Sequence, residues 1–203
     1  MCLVLGLAAL GQNFIINGGF EDPQVTAGFI IQPGDNTLPS WTIGGGQVVE
    51  LANGPLFGSS PIEGLQDIIL NPGNTPPGVT LSQSFSTTVG VTYSVSFAVG
   101  LEGGGGGFAV EGQALSATQS VLGTQTTPAI GTGSWAIGSF NFTASTTTST
   151  LVFTDVSAQT VNGDVLLDDV VVNAITPVPE PAEYAAVAGL ALAAFGAWRR
   201  TRR

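Results

Sequence analysis

The chain has 203 residues, with 14 acidic side chains against four basic ones, no histidine and a formal net charge of −10. All four cations are arginines at the C-terminus (Arg199, Arg200, Arg202 and Arg203), so the body has nothing to neutralise a phosphate backbone, which all but excludes nucleic-acid binding. Without histidine, and with Cys2 as the one cysteine, Ser-His-Asp and Cys-His nucleophile systems and histidine-ligated zinc are excluded as well.

Residues 1–11 read as the remnant of an export signal. An apolar run from Cys2 to Leu10 ends in Ala9-Leu10-Gly11, a small-x-small pattern before Gln12. The usual basic n-region is missing, so the expected start lies upstream of Met1. Cys2 would leave with this segment, and the mature chain is then expected to have no disulfide. It precedes the apolar run, whereas a lipoprotein cysteine would follow it.

Residues 12–175 suffice for one domain with a real core. No amphipathic helix of useful length occurs there; short strand patterns recur between Gly, Pro and Asn turns. In chain order they are 47–51, 67–70, 79–85, 93–99, 108–114, 134–144, 150–154 and 165–172. The clearest alternates Tyr93, Val95, Phe97 and Val99 with Ser94, Ser96 and Ala98. Gly44 to Gly46 read as a turn, and the five glycines from Gly103 to Gly107 as a flexible hairpin tip, since no helix or lysine accompanies them as a phosphate loop requires. The count and spacing predict an all-β, antiparallel two-sheet sandwich.

The last predicted strand contains the chemistry. Its apolar run is broken only by Asp168 and Asp169, which on a regular strand point to opposite faces. A carboxylate turned inward must be neutralised, and the body offers no Lys, Arg or His; a metal, a cluster of amides or protonation remain. Trp41 and Trp135 are expected in the core, while Phe29, Phe57 and Phe108 lie near Gly-rich loops and are expected to be more exposed. Glu50, Glu63, Glu102 and Glu111 could serve acid–base chemistry, but no spacing pairs any two, and the chain is not expected to be an enzyme.

Residues 176–203 form a third region. Pro179-Glu180-Pro181 is followed by an apolar segment and then by the arginine cluster. From Ala182, roughly 17 helical residues would span about 26 Å, just short of a bilayer core, with arginine retained on the cytoplasmic side. One C-terminal transmembrane helix is therefore predicted.

These residues carry two resemblances. The Pro-Glu-Pro motif, apolar segment and arginine cluster resemble the PEP-CTERM sorting signal of exopolysaccharide-producing Gram-negative bacteria. That resemblance implies export, an inner-membrane intermediate and processing by a membrane protease, exosortase, for the cell surface or matrix. The body resembles the galactose-binding-like jelly rolls: NFIINGGFEDP from Asn13, PSWTIGGGQVVEL from Pro39, LSQSFSTTVGVTYSVSFAVG from Leu81 and LVFTDVSAQTVNGDVLLDDVVV from Leu151 follow their order. More narrowly it is similar to choice-of-anchor surface domains and to carbohydrate-binding modules of families 4 and 22. The resemblance implies a non-catalytic role, an extracellular polysaccharide as partner, and a structural Ca2+ held by Glu21 and Asp168, with Asp169 beside them.

Overall fold

The computed structural model describes residues 13–55 and 58–175, together with Gly189, Leu192, Phe195 and residues 197–200 of the tail. Eleven strands make the described body: β1 (Phe29–Ile31), β2 (Thr42–Gly44), β3 (Val49–Asn53), β4 (Gln66–Ile69), β5 (Thr80–Ser86), β6 (Thr92–Gly103), β7 (Ala109–Ser116), β8 (Val121–Pro128), β9 (Ala136–Thr143), β10 (Thr148–Asp155) and β11 (Gly163–Ala174). They form two antiparallel sheets, ordered β1-β3-β4-β11-β6-β9 and β2-β5-β10-β7-β8. The expected sandwich is therefore present, and each predicted strand has a counterpart.

Alternation explains the layers. In β6, Tyr93, Val95, Phe97, Val99 and Leu101 are buried in the core, and in β11 so are Val165 and Leu167. From the second sheet come Leu81, Val110, Leu151 and Phe153. Aromatic rings lock the layers together. Phe97 on β6 meets Phe153 on β10 edge-on at 4.9 Å, and Tyr93 on β6 meets Phe85 on β5 edge-on at 6.4 Å. Such pairs contribute about 0.5–1.5 kcal/mol each beyond the area they bury. Trp41 lies within this core as expected, 3 % exposed, and donates its indole N–H to the Asn17 carbonyl at 2.9 Å.

Three expectations are corrected here. The run Gly103 to Gly107 is not a hairpin tip: it joins β6 in one sheet to β7 in the other. Gly103, Gly105 and Gly107 all take positive φ, which glycine alone adopts without steric cost, so the chain turns sharply between layers. Phe108 closes this crossing from inside the core, 2 % exposed, rather than facing solvent. Trp135 lies outside the main core, on the opposite face of the six-stranded sheet. Of the other expected exposed rings, Phe29 is 43 % exposed and Phe57 lies outside the described residues.

The expected transmembrane helix falls mostly outside the described residues, as do Pro179, Glu180, Pro181, Arg202 and Arg203. Gly189, Leu192, Phe195 and residues 197–200, including Arg199 and Arg200, are helical and exposed. Among the described residues no helix is long and apolar enough to cross a membrane.

Candidate functional site

The outer face of the six-stranded sheet combines an aromatic side chain with buried acids. Strand registers set its layout. Glu50, Ile69, Leu166 and Gly100 align across β3, β4, β11 and β6; beside them run Ala52 and Asp67, then Asp168 and Ala98. Asp164 pairs with Glu102 at one end. Alternation places all of these opposite the core residues of the same strands.

Trp135 precedes β9 and lies across Gly100, where a Cβ would come within 2.9 Å of the indole ring. A glycine is needed there for close approach. The ring packs on Ala52, Ile69 and Leu166, forming a small second apolar cluster. It is half-buried, and its N–H donates to the Ser60 carbonyl at 2.9 Å. Ser60 belongs to the connection between β3 and β4, so this loop and the tryptophan hold each other over the sheet.

The acids beneath have no cation among them. Burial pushes Asp67 up to about 8, with Asp168, Glu102 and Glu50 adding repulsion. Burial, then Asp164 and Glu50, then a hydrogen bond with Asp164 bring Glu102 to about 7. Glu50 is also raised, by burial and Asp164; a Cβ at Gly28 would collide with its carboxylate. Beside Gly28 opens a shallow depression of about 300 Å³, lined by Gln24, Val25, Thr26, Ala27, Gly28 and Phe29.

Glu21 and Asp168 do converge, but on a loop. Asp168 Oδ2 accepts the backbone N–H of Ile62 at 3.0 Å and of Glu63 at 3.1 Å, and Oδ1 accepts that of Asp169 at 2.7 Å. Glu21 Oε1 accepts Leu65 N–H at 2.7 Å and Gln66 N–H at 2.8 Å. Hydrogen bonds to a charged acceptor contribute about 1.5–3 kcal/mol each. Burial nevertheless dominates at Asp168, raising it to about 7 against the pull of the three amides. Of the three ways to satisfy an inward acid, amides meet this one.

Asp169 does not share the arrangement. The register between β11 and β6 shifts between Asp168 and Val171, a bulge, and Asp169 sits in it with φ 48°. The two-residue alternation lapses there, and Val170 is the next side chain to enter the core. As a calcium set these residues fit poorly. Asp168 Oδ2 and Glu21 Oε1 each already accept two N–H groups, whereas calcium wants six to eight oxygens. Among the described residues no three His, Cys, Asp or Glu side chains are grouped to hold a metal ion.

Comparison with known proteins bears on the family and the fold. A family profile described as "Protein of unknown function (DUF642)" covers residues 13–173. The chain belongs to the DUF642 family. No curated protein matches its sequence. Among solved structures, the DUF642 domain is similar to a family 61 carbohydrate-binding module in complex with β-1,4-galactotriose, at 14 % identity and TM-score 0.50, covering 81 % of this chain and 100 % of that one. It is also similar to an arabinose-bound family 51 α-L-arabinofuranosidase, at 15 % identity and TM-score 0.55, covering 81 % of this chain and 27 % of that enzyme. A family 22 module with a family 10 xylanase module from Clostridium thermocellum, complexed with xylohexaose, is similar at 18 % identity and TM-score 0.45, covering 70 % and 27 %. At these identities the likeness shows the fold alone: an antiparallel jelly roll like that of the family 61 module.

Sequence reasoning missed Trp135 as a site residue because the apolar start of β9 reads like any strand entering a core. The available signal was a line of small residues in β6, Ser94, Ser96, Ala98 and Gly100, which leaves room on that face for a large ring.

Proposed function

We propose that this DUF642 protein is an exported, non-catalytic component of the cell surface or extracellular matrix, and that it binds polysaccharide on the outer face of its six-stranded sheet. One observation carries the reading: Trp135 lies half-exposed on a sheet face, held flat over Gly100 and fixed through its N–H. A fixed indole face offers a sugar ring apolar contact without loss of side-chain freedom on binding. The fold supports the reading by analogy, since a module of this fold was solved with β-1,4-galactotriose.

Electrostatics narrows the ligand class. The sequence has 14 acidic side chains against four arginines, a formal net charge of −10, and residues 12–175 contain no Lys, Arg or His. Polyuronates and sulfated glycans would be repelled, so the ligand is a polysaccharide without net negative charge. Catalysis is not favoured by the most enclosed acids of this face: Asp67 and Glu102 are 4 % exposed and Asp168 is 0 % exposed, too enclosed to bracket a glycosidic bond.

The Pro179-Glu180-Pro181 motif with the arginine cluster supports delivery through exosortase processing. The intact mass of the protein recovered from its host tests this. A C-terminus near Pro181 is expected; a mass that includes Arg199 to Arg203 would overturn the processing step. Binding is tested by affinity electrophoresis in neutral β-1,4-galactan, xylan and mixed-linkage glucan, with polygalacturonate alongside. Retardation by a neutral polymer and none by polygalacturonate is expected, and no retardation by any of them would favour a structural matrix component without a specific ligand.

A further inference from the structure

We propose that Glu21 and Asp168 are positioning residues for Trp135: together they clamp the segment from Ser60 to Gln66, and the clamped segment sets the indole over the sheet. The proposal rests on the reading of this face as the binding surface. It assigns to these acids a role in presenting the aromatic side chain.

The clamp has three fixed points. Asp168, on β11, takes the amides of Ile62 and Glu63 with one oxygen. Glu21, on the N-terminal segment, takes the amides of Leu65 and Gln66 with one oxygen. Ser60 then accepts the Trp135 N–H. Gly64 separates the two amide pairs at φ +62°, and a Cβ there would collide with the Glu21 carboxylate. A left-handed residue between two runs of N–H groups lets one short segment serve acids lying on two different elements.

Both acids are held independently of the loop. The N-terminal segment runs along β11 past its bulge: Val170 N–H donates to Gly18 O at 3.0 Å and Phe14 N–H to Val172 O at 2.9 Å. Gln66, fully buried at the start of β4 where the clamped segment ends, ties that end to the same N-terminal segment by donating to Phe20 O at 2.7 Å and Pro23 O at 3.0 Å. Asp168 is fixed by the Asp169 amide and the bulge. The loop is thus gripped by framework on both sides, and only its Ser60 end faces the tryptophan. An aromatic held this way is preorganised for a ligand.

The test uses the full chain labelled with 5-fluorotryptophan, whose three 19F lines report Trp41, Trp135 and Trp198 separately. Glu21→Gln and Asp168→Asn should each displace the Trp135 line by more than its width and leave Trp41 in place. Asp155→Asn is the control, because this buried acid also accepts an amide, that of Ser157 at 2.9 Å, but at the end of β10. A Trp135 line unmoved by both variants, or moved as far by the control, overturns the proposal. Should both variants fail to fold, Trp135→Phe gives the reciprocal reading: losing the Ser60 bond should speed exchange of the Ile62 and Glu63 amides at least tenfold, and unchanged exchange overturns the clamp. Titration of wild type with β-1,4-galactan is kept apart from these arms. Silence there, repeated with the other neutral polymers, overturns the binding reading, whereas the 19F lines alone decide the clamp.

Discussion

Asp67 shows how much a single residue on this face can control. Its side chain is enclosed beside Asp168, Glu102 and Glu50, and burial with their repulsion lifts it from 3.8 to about 8. Between those values the folded chain keeps a proton that the unfolded chain has released. Its stabilising effect is complete below about pH 4 and is lost as pH rises towards 8, the direction shared by Glu102 and Asp168 with values of about 7. The melting temperature should therefore fall from pH 5 to pH 8. Asp67→Asn removes the ionisation and should stabilise the domain at pH 8 by on the order of 2 kcal/mol, or about 5 °C, with little change at pH 4. A wild-type melting temperature that climbs over this range, or a variant weaker at pH 8, would contradict the burial of this acid.

At the scale of elements, β11 organises the site from its bulge. Up to Asp168 it pairs regularly with β6; beyond the bulge it resumes one residue out of step, and the N-terminal segment lies against it. Gly18 makes that approach possible, since a Cβ there would run into the Val170 carbonyl. Gly18→Ala should cost about 2 kcal/mol through overpacking and lower the melting temperature by about 5 °C. An unchanged midpoint would show that the segment is not tightly docked. Little of this element was legible beforehand. The strand itself was, because Val165 to Val172 is an apolar run broken only by Asp168 and Asp169, but the bulge leaves no mark in a run of valines and aspartates. β8 was missed for a different reason: Val121–Pro128 is mostly Thr, Gln and Gly, and its inward positions include Gly123 and Thr127 rather than large apolar residues.

Over the whole molecule, composition predicted the architecture well and the site in part. Short alternating segments with Gly and Pro between them can bury their apolar faces only against another sheet, so the sandwich followed from pattern. That an acid at Asp168 would need compensation also followed, because the body has no cation. Its partner did not, since the amides of Ile62 and Glu63 are backbone groups that no motif advertises. Trp135 was misplaced because burial on the second face of a sheet looks, in sequence, like burial in the core. The outcome is a domain whose two sides differ: one face of the six-stranded sheet builds the core, and the other presents an indole above enclosed acids.

The second face is proposed to bind a neutral polysaccharide through Trp135. Calorimetric titration of wild type and Trp135→Ala with the neutral polymer that most retards the wild type tests it most directly. Affinity should fall at least tenfold in the variant while its melting temperature drops by only a few degrees, since the ring lies outside the main core. Equal affinity in the two proteins would contradict it.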